Sequence, residues 1–233
     1  MVKSDPRQLP SSAELPCSDD TPVDNEDQNF IPNLLLFLLQ YIWANRNDWF
    51  FSVDMGVYHT TGVSPLVPIV PDGFLSLGVE RRKASKSRTS YVVWEENNIV
   101  PILALEIVSL TPGGEYDKKL DTHAKLGVLY YIIYNPVYWQ GDRHQPFEVY
   151  CLVDGSYQLQ IGEPFWMPEI GLGIGRSQYV SGNIQRQVLY WYDQQGNRYQ
   201  TPEEAEQQTR QQLELVQQQL ERYRQQFGEL PEA

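Results

Sequence analysis

Residues 101–136, PILALEIVSLTPGGEYDKKLDTHAKLGVLYYIIYNP, decide the fold. Ile102 to Ser109 is a near-continuous apolar run, which reads as a central strand. Thr111-Pro112-Gly113-Gly114 reads as a turn. Glu115 to Leu126 follows as a helix, stopped by Gly127, a residue type that accepts the left-handed conformation at a helix end. Leu129 to Tyr134 is the next strand, closed by Asn135-Pro136. Strand, helix and strand at this length predict a parallel crossover. The fold class is therefore α/β, a mixed sheet flanked by helices.

Glu106 interrupts the first of these strands. A carboxylate in a buried strand is costly unless it is paired or binds a cation. A second carboxylate, Asp72, closes the apolar run Leu66-Val67-Pro68-Ile69-Val70-Pro71. Two carboxylates on neighbouring strands, with a strand carbonyl such as that of Ile107, form a hard oxygen donor set suited to Mg²⁺ or Mn²⁺. Lys119 on the following helix supplies positive charge. Read from the residues alone, the pair has an alternative: a structural arrangement satisfied by Lys119 or a backbone amide.

Working outward, Pro32 precedes a helix over Asn33–Trp43 that is apolar nearly all round and expected to be buried on two sides. Trp49 to His59 reads as one strand. Residues 66–79 form the Asp72 strand, bent or at a sheet edge because of Pro68 and Pro71. Phe147–Val153 and Tyr157–Ile161 flank Asp154-Gly155, a hairpin signal. Gly171-Leu172-Gly173-Ile174-Gly175 lacks the lysine and following helix of a phosphate loop and reads as a twisted edge strand. Val188–Tyr192 and Arg198-Tyr199 read as a further hairpin around 193–197. Thr201 caps a Gln-rich helix with Pro202 at its first position. Leu213, Val216, Leu220, Tyr223 and Phe227 recur on it at spacings of three and four, a stripe suited to a homodimer or to packing on its own domain. Three regions result: a flexible acidic arm over 1–28, a domain over 29–200 and the C-terminal helix over 201–233.

The chain of 233 residues carries a net charge of −12, which argues against a strong non-specific nucleic-acid binder. The acidic excess lies mostly in the tails, at Glu14, Asp19, Asp20, Asp24, Glu26, Asp27, Glu203, Glu204 and Glu206. Residues 81–88, RRKASKSR, place Arg81, Arg82, Lys83, Lys86 and Arg88 in one loop after the Asp72 strand. That loop is either a phosphate-contacting face or a solvated surface. Cys17 and Cys151 follow no metal spacing and read as free thiols in a reducing cytoplasm. His59, His123 and His144 share no motif. Leu34–Ala44 is too short to span a bilayer, so no membrane role is expected.

The pieces PDGFLSLGV, ALEIVS, EYDKKLDTHAKLGV and YYIIYNP, in that order, resemble the PD-(D/E)XK nuclease superfamily, and more closely its Uma-two family of restriction-endonuclease-like bacterial proteins. The resemblance covers about residues 50 to 140. It implies a restriction-endonuclease-like sheet and a Mg²⁺-dependent DNA endonuclease. Asp72, Glu106 and the Ile107 carbonyl would hold the metal and Lys119 would assist catalysis. The wider superfamily places its lysine two residues after the glutamate, where this chain has Val108. The Uma-two pattern moves it to the next helix, at Lys119. His123 stands where the family usually has tyrosine. The superfamily often adds a glutamate from the first helix, which implies Glu26. The competing expectation is a non-catalytic scaffold or regulatory binding module that retains the fold.

Overall fold

The computed structural model describes residues 9–16, 25–62, 64–83, 87–109 and 114–228. The chain divides after Arg198 into two compact units.

In the first unit, α1 spans Glu26–Ile42. Asn25 caps it: its side chain accepts from the amides of Asp27 and Gln28 at 2.9 and 3.1 Å. Glu26 and Asp27 complement the positive helix end. The helix therefore starts seven residues before the expected Asn33, with Pro32 inside it. Pro32 lacks the donor for an intrahelical bond. Burial of Ile31, Pro32, Leu35, Leu38 and Leu39 as one face holds the turn regardless. Phe37 and Tyr41 are exposed, so one face of α1 is buried and not two.

The main sheet has six strands: β1 (Trp49–Val53), β3 (Gly73–Leu77), β5 (Leu103–Ile107), β6 (Tyr130–Tyr134), β7 (Phe147–Val153) and β8 (Ser156–Leu159), in that spatial order. Among the described strands of this sheet only β5 and β6 run parallel, with Glu106 opposite Ile133. They are joined through α2 (Lys118–Leu126). Gly127 ends α2 at φ 94°, a conformation that favours glycine. A short α3 (Trp139–Asp142) lies between β6 and β7, and Asp154 and Gly155, at φ 50° and 80°, make the β7–β8 turn. The expected single strand over Trp49–His59 breaks at Asp54. It yields β1 and the short β2 (Val57–Tyr58), which pairs in parallel with β4 (Tyr91–Val92). A 3-10 turn, Val93–Glu95, follows β4.

β3 is not an edge strand. It pairs with β1 on one side and β5 on the other. Pro68 and Pro71 stay outside the ladder, which begins at Gly73, and so forfeit no sheet hydrogen bond. Facing positions alternate along the sheet. Phe74, Ala104, Val108, Tyr131 and Ile133 pack with Leu126 and Val128 from the α2 region. On the other face, a Cβ at Gly73 would lie 3.3 Å from Pro32 of α1. The two helices thus cover opposite faces.

A second, antiparallel sheet holds β9 (Phe165–Met167), β10 (Leu172–Ser181) and β11 (Ile184–Tyr192), with β10 in the middle. The Gly-rich segment is therefore a central strand rather than an edge. Its glycines allow close approach: a Cβ at Gly175 would sit 3.0 Å from the Pro164 Cα. The partner of β11 is β10, reached through Gly182 at φ 58°. The chain does turn back around 193–197: Tyr192 bridges Arg198 and the Asp193 amide donates to the Asn197 carbonyl at 2.9 Å, but among the described residues no second strand extends beyond that bridge.

Residues 9–16 lie against the sheet domain. Leu15 is buried with Tyr58 and Val92. Ser12 donates through its amide and hydroxyl to the Glu95 carboxylate at 2.8 and 2.9 Å. Trp94 Nε1 donates to the Pro10 carbonyl. Cys17, Asp19, Asp20 and Asp24 lie outside the described residues, as do Lys86 and Thr111-Pro112-Gly113 of the expected turn.

The second unit contains α4 (Pro202–Phe227). Thr201 and Glu204 form a reciprocal capping box at its start. Leu213, Val216, Leu220, Tyr223 and Phe227 are all exposed along it.

Candidate active site

Antiparallel pairing sets Gly73 at the start of β3 opposite Leu105 near the end of β5. Asp72 and Glu106 therefore meet at one end of the sheet, the carboxyl end of the parallel pair, where open α/β sheets place ligands. Asp72 Oδ2 accepts the Ile107 amide at 2.6 Å. Its carbonyl accepts the Asp54 amide at 3.2 Å.

Glu106 is fully buried, at 0% exposure. Lys119 Nζ donates to its Oε2 at 2.8 Å. Its other oxygen, Oε1, is buried with no hydrogen-bond partner. An orphaned buried carboxylate oxygen is uncommon, because desolvation without compensation costs about 1–3 kcal/mol or more. Lys119 also lies 3.6 Å from Glu115 Oε1, one helical turn back. Lys118, its neighbour, is exposed.

The electrostatics follow from this crowding. Burial pushes the Asp72 carboxyl up to about 6. The Ile107 amide and Lys119 resist that rise, while Asp54 and Glu115 reinforce it. Burial likewise raises Glu106, against the pull of Lys119 and with the repulsion of Asp72 added. For Lys119, burial works downward. It is outweighed by Glu106, then Asp72 and Glu115, so the amine is held above its ordinary value. Lys119 is thus an ammonium at neutral pH.

Gln28 of α1 reaches the same place. Its Nε2 donates to the Ile107 carbonyl at 3.2 Å. The sequence reading missed it because the helix was expected to begin at Asn33. Counted from the Asn25 cap, Gln28 shares a face with Ile31, Pro32 and Leu35, and the Asn-Glu-Asp start was the available signal. Glu26 is not brought to the site. Its side chain is 86% exposed and pairs with Arg186 at 3.2 Å. It points off the buried face of α1.

The basic loop is largely engaged with its own domain. Arg88, at 4% side-chain exposure, pairs with Glu96 through two hydrogen bonds of 2.9 and 3.0 Å. Lys83 donates to the Glu95 carbonyl and lies near both Glu95 and Glu96 carboxylates. Arg81 lies over the Trp49 ring at 3.6 Å. Arg82 is exposed.

His123 is buried behind the site. Its Nδ1–H donates to the Lys119 carbonyl at 2.8 Å. Burial pulls its pKa down to about 4.

The donor set fits a hard divalent cation. Asp72 and Glu106 meet at one sheet end, the Ile107 amide holds Asp72 while the Ile107 carbonyl accepts from Gln28, and one Glu106 oxygen has no hydrogen-bond partner. Among the described residues there is no group of three or more His, Cys, Asp or Glu side chains that could hold a metal. A cation here would therefore rely on the carbonyl and on water for its remaining ligands.

Residues 20–179 match the model of the Uma2 family, described as "Putative restriction endonuclease". No curated protein matches the chain significantly. Among solved structures, a putative nuclease of DUF820 from Anabaena variabilis aligns with 11% identity and a TM-score of 0.44. The alignment covers 63% of this chain and 74% of that one. That likeness is too distant to carry weight by itself.

Proposed function

The chain belongs to the Uma2 family, and from that premise we propose that it is a Mg²⁺- or Mn²⁺-dependent endonuclease that hydrolyses phosphodiester bonds in DNA. Family membership supports a nuclease-like function. The observation that carries the finer reading is the buried Glu106 carboxylate, one oxygen unpaired, beside a second carboxylate at the end of the sheet.

In this reading Asp72, Glu106 and the Ile107 carbonyl hold the cation. When bound, such an ion supplies Lewis-acid polarisation of a phosphoryl oxygen. The chain's own contribution is positional and electrostatic. Gln28 fixes the Ile107 carbonyl, and the Ile107 amide fixes Asp72. Lys119, held as an ammonium, sits where negative charge develops on the phosphoryl oxygens as water adds to phosphorus and the sugar oxygen departs. It cannot serve as the general base in that state. The working protein is placed in the cytoplasm.

Cleavage of supercoiled and linear DNA with Mg²⁺, with Mn²⁺ and with EDTA tests this. Metal-dependent cleavage that disappears in Asp72→Asn, with the fold retained, is expected. An equally active variant removes the assignment.

One observation favours a second reading, a non-catalytic scaffold that retains the fold. Asp72 and Glu106 each already have an internal partner, the Ile107 amide and Lys119. That reading predicts no metal-dependent stabilisation and no cleavage of any nucleic acid.

We also propose that α4 pairs with the α4 of a second copy. Its apolar stripe has the three-four spacing of a coiled-coil seam over two heptads. Gln212, Gln219 and Gln226 flank that seam without like-charge repulsion.

A further inference from the structure

A groove of about 440 Å³ runs beside β1, the outermost strand of the main sheet. Leu36 of α1, Phe50, Met55, Arg81, Arg82 and Arg88 are among the residues that line it. The three arginines are not equivalent. Arg88 is neutralised by Glu96 and lies 4.4 Å over the Phe50 ring. Arg81 sits on the Trp49 ring, and among the described residues it has no carboxylate partner. Burial, and then the neighbouring Arg88 charge, pull the pKa of Arg81 down. Among the described residues Arg88 thus has the Glu96 carboxylate, whereas Arg81 has the Trp49 ring and a like charge nearby. An anion beside Arg81 would offset that repulsion.

One end of the groove lies a strand away from the Asp72 backbone. Val53 lines it and pairs with Gly73, the residue after Asp72. The next residue, Asp54, donates its amide to the Asp72 carbonyl. The five residues of β1 extend roughly 16 Å, more than the spacing of two successive phosphates on one strand.

We propose that this groove is the track for the phosphodiester backbone of the nucleic-acid strand entering the site, with Arg81 and Arg82 as its phosphate contacts and Arg88 as the fixed support beneath them. The proposal rests on the nuclease reading of Asp72 and Glu106. Charge favours it: in a chain of net charge −12 three arginine residues line this groove. Proximity to the carboxylate pair favours a nucleic acid over an acidic peptide.

The test is fluorescence anisotropy of a labelled duplex and a labelled single strand, in Ca²⁺ and in EDTA, over a salt series. Wild type is compared with Arg81→Gln, Arg82→Gln and, as a charge-matched control outside the groove, Arg46→Gln. Removing one phosphate contact reduces the slope of log affinity against log salt by about one and weakens binding to all sequences alike. Arg81→Gln and Arg82→Gln are expected to show this several-fold weakening, and Arg46→Gln is not. Arg81→Gln loses its seat on Trp49, so unfolding midpoints are recorded. Arg82 is exposed, and its variant keeps the test valid if Arg81→Gln is unstable. Wild-type cleavage of DNA with unchanged slopes in both groove variants overturns the track and leaves the nuclease reading standing. A wild type that neither binds nor cleaves any nucleic acid overturns both. Capture of labelled polyglutamate, lost in Arg81→Gln and unaccompanied by DNA binding, overturns it in favour of an acidic peptide.

Discussion

Lys119 donates to one oxygen of Glu106 at 2.8 Å and leaves the other without a partner. The pair is therefore half-satisfied. A purely structural ion pair buried this deeply would complete its hydrogen bonds or give way to apolar packing. The open oxygen is the feature that a cation would complete.

Lys119→Met tests the satisfied half. Glu106 then loses its counter-charge while fully buried. Unfolding by denaturant at pH 8 should show a loss on the order of 3 kcal/mol. The loss should shrink as pH falls through about 8 and be small at pH 5, where the carboxyl is already protonated. Metal-dependent cleavage should fall by about 100-fold or more. An unchanged stability at pH 8 would show that the ion pair matters little to the fold.

Asp72 and Glu106 set a limb of the stability–pH curve. Burial raises both above their ordinary values. Their contribution is thus fully present below about pH 4 and is lost as pH rises through about 6 for Asp72, and higher for Glu106. Metal-free protein carrying Glu106→Gln or Asp72→Asn should be more stable than wild type at pH 8 and equal to it near pH 4. Denaturation midpoints across that range measure it. A variant less stable at pH 8 would contradict the assignment of both shifts to burial.

His123 sets the opposing limb. Its pKa falls to about 4 in the folded chain, so its contribution is present above about pH 6.5 and is lost as pH falls toward 4. That contribution is on the order of 3 kcal/mol. His123→Phe should flatten the acid side of the curve while leaving the slope between pH 7 and 8 in place. Loss of the bond to the Lys119 carbonyl offsets the midpoint, so the slope is the quantity to compare.

On α4, Leu220→Glu places a charge in the middle of the apolar stripe. Sedimentation equilibrium should show the wild type associating and the variant shifted toward monomer, with the circular dichroism of the sheet domain unchanged. A wild type that stays monomeric at high concentration would end the pairing proposal.

Much of the fold was legible where local chemistry and global position agree. The run 102–109, the stop at Gly127 and the Asp154-Gly155 turn each name their element, because apolar continuity and left-handed backbone leave few alternatives. Thr201, Pro202 and Glu204 mark the α4 start for the same reason. α1 was misplaced because Pro32 argues locally for a boundary, whereas burial of Ile31 and Leu35 decides it globally. The β10–β11 ladder was hidden because Gly173 and Gly175 carry no side chain to show alternation. They are there for backbone contact across β9. At the site, the grouping of Asp72, Glu106 and Lys119 is what the family resemblance implies; the residues alone leave a structural pair equally open. Gln28 could not be anticipated, since its role depends on a helix register that Pro32 disguised. Glu26 was assigned by analogy alone, and its register turns it to solvent.

The most direct test of the central claim is thermal unfolding of wild type and the Asp72→Asn/Glu106→Gln double variant, with and without millimolar Mg²⁺ or Mn²⁺. A ligand that binds only the folded state raises the midpoint. Wild type should show a metal-induced rise, largest at pH 8 where both carboxyls would otherwise repel, and the double variant should show none. Equal midpoints with and without metal in wild type, or an equal rise in both proteins, would contradict that claim.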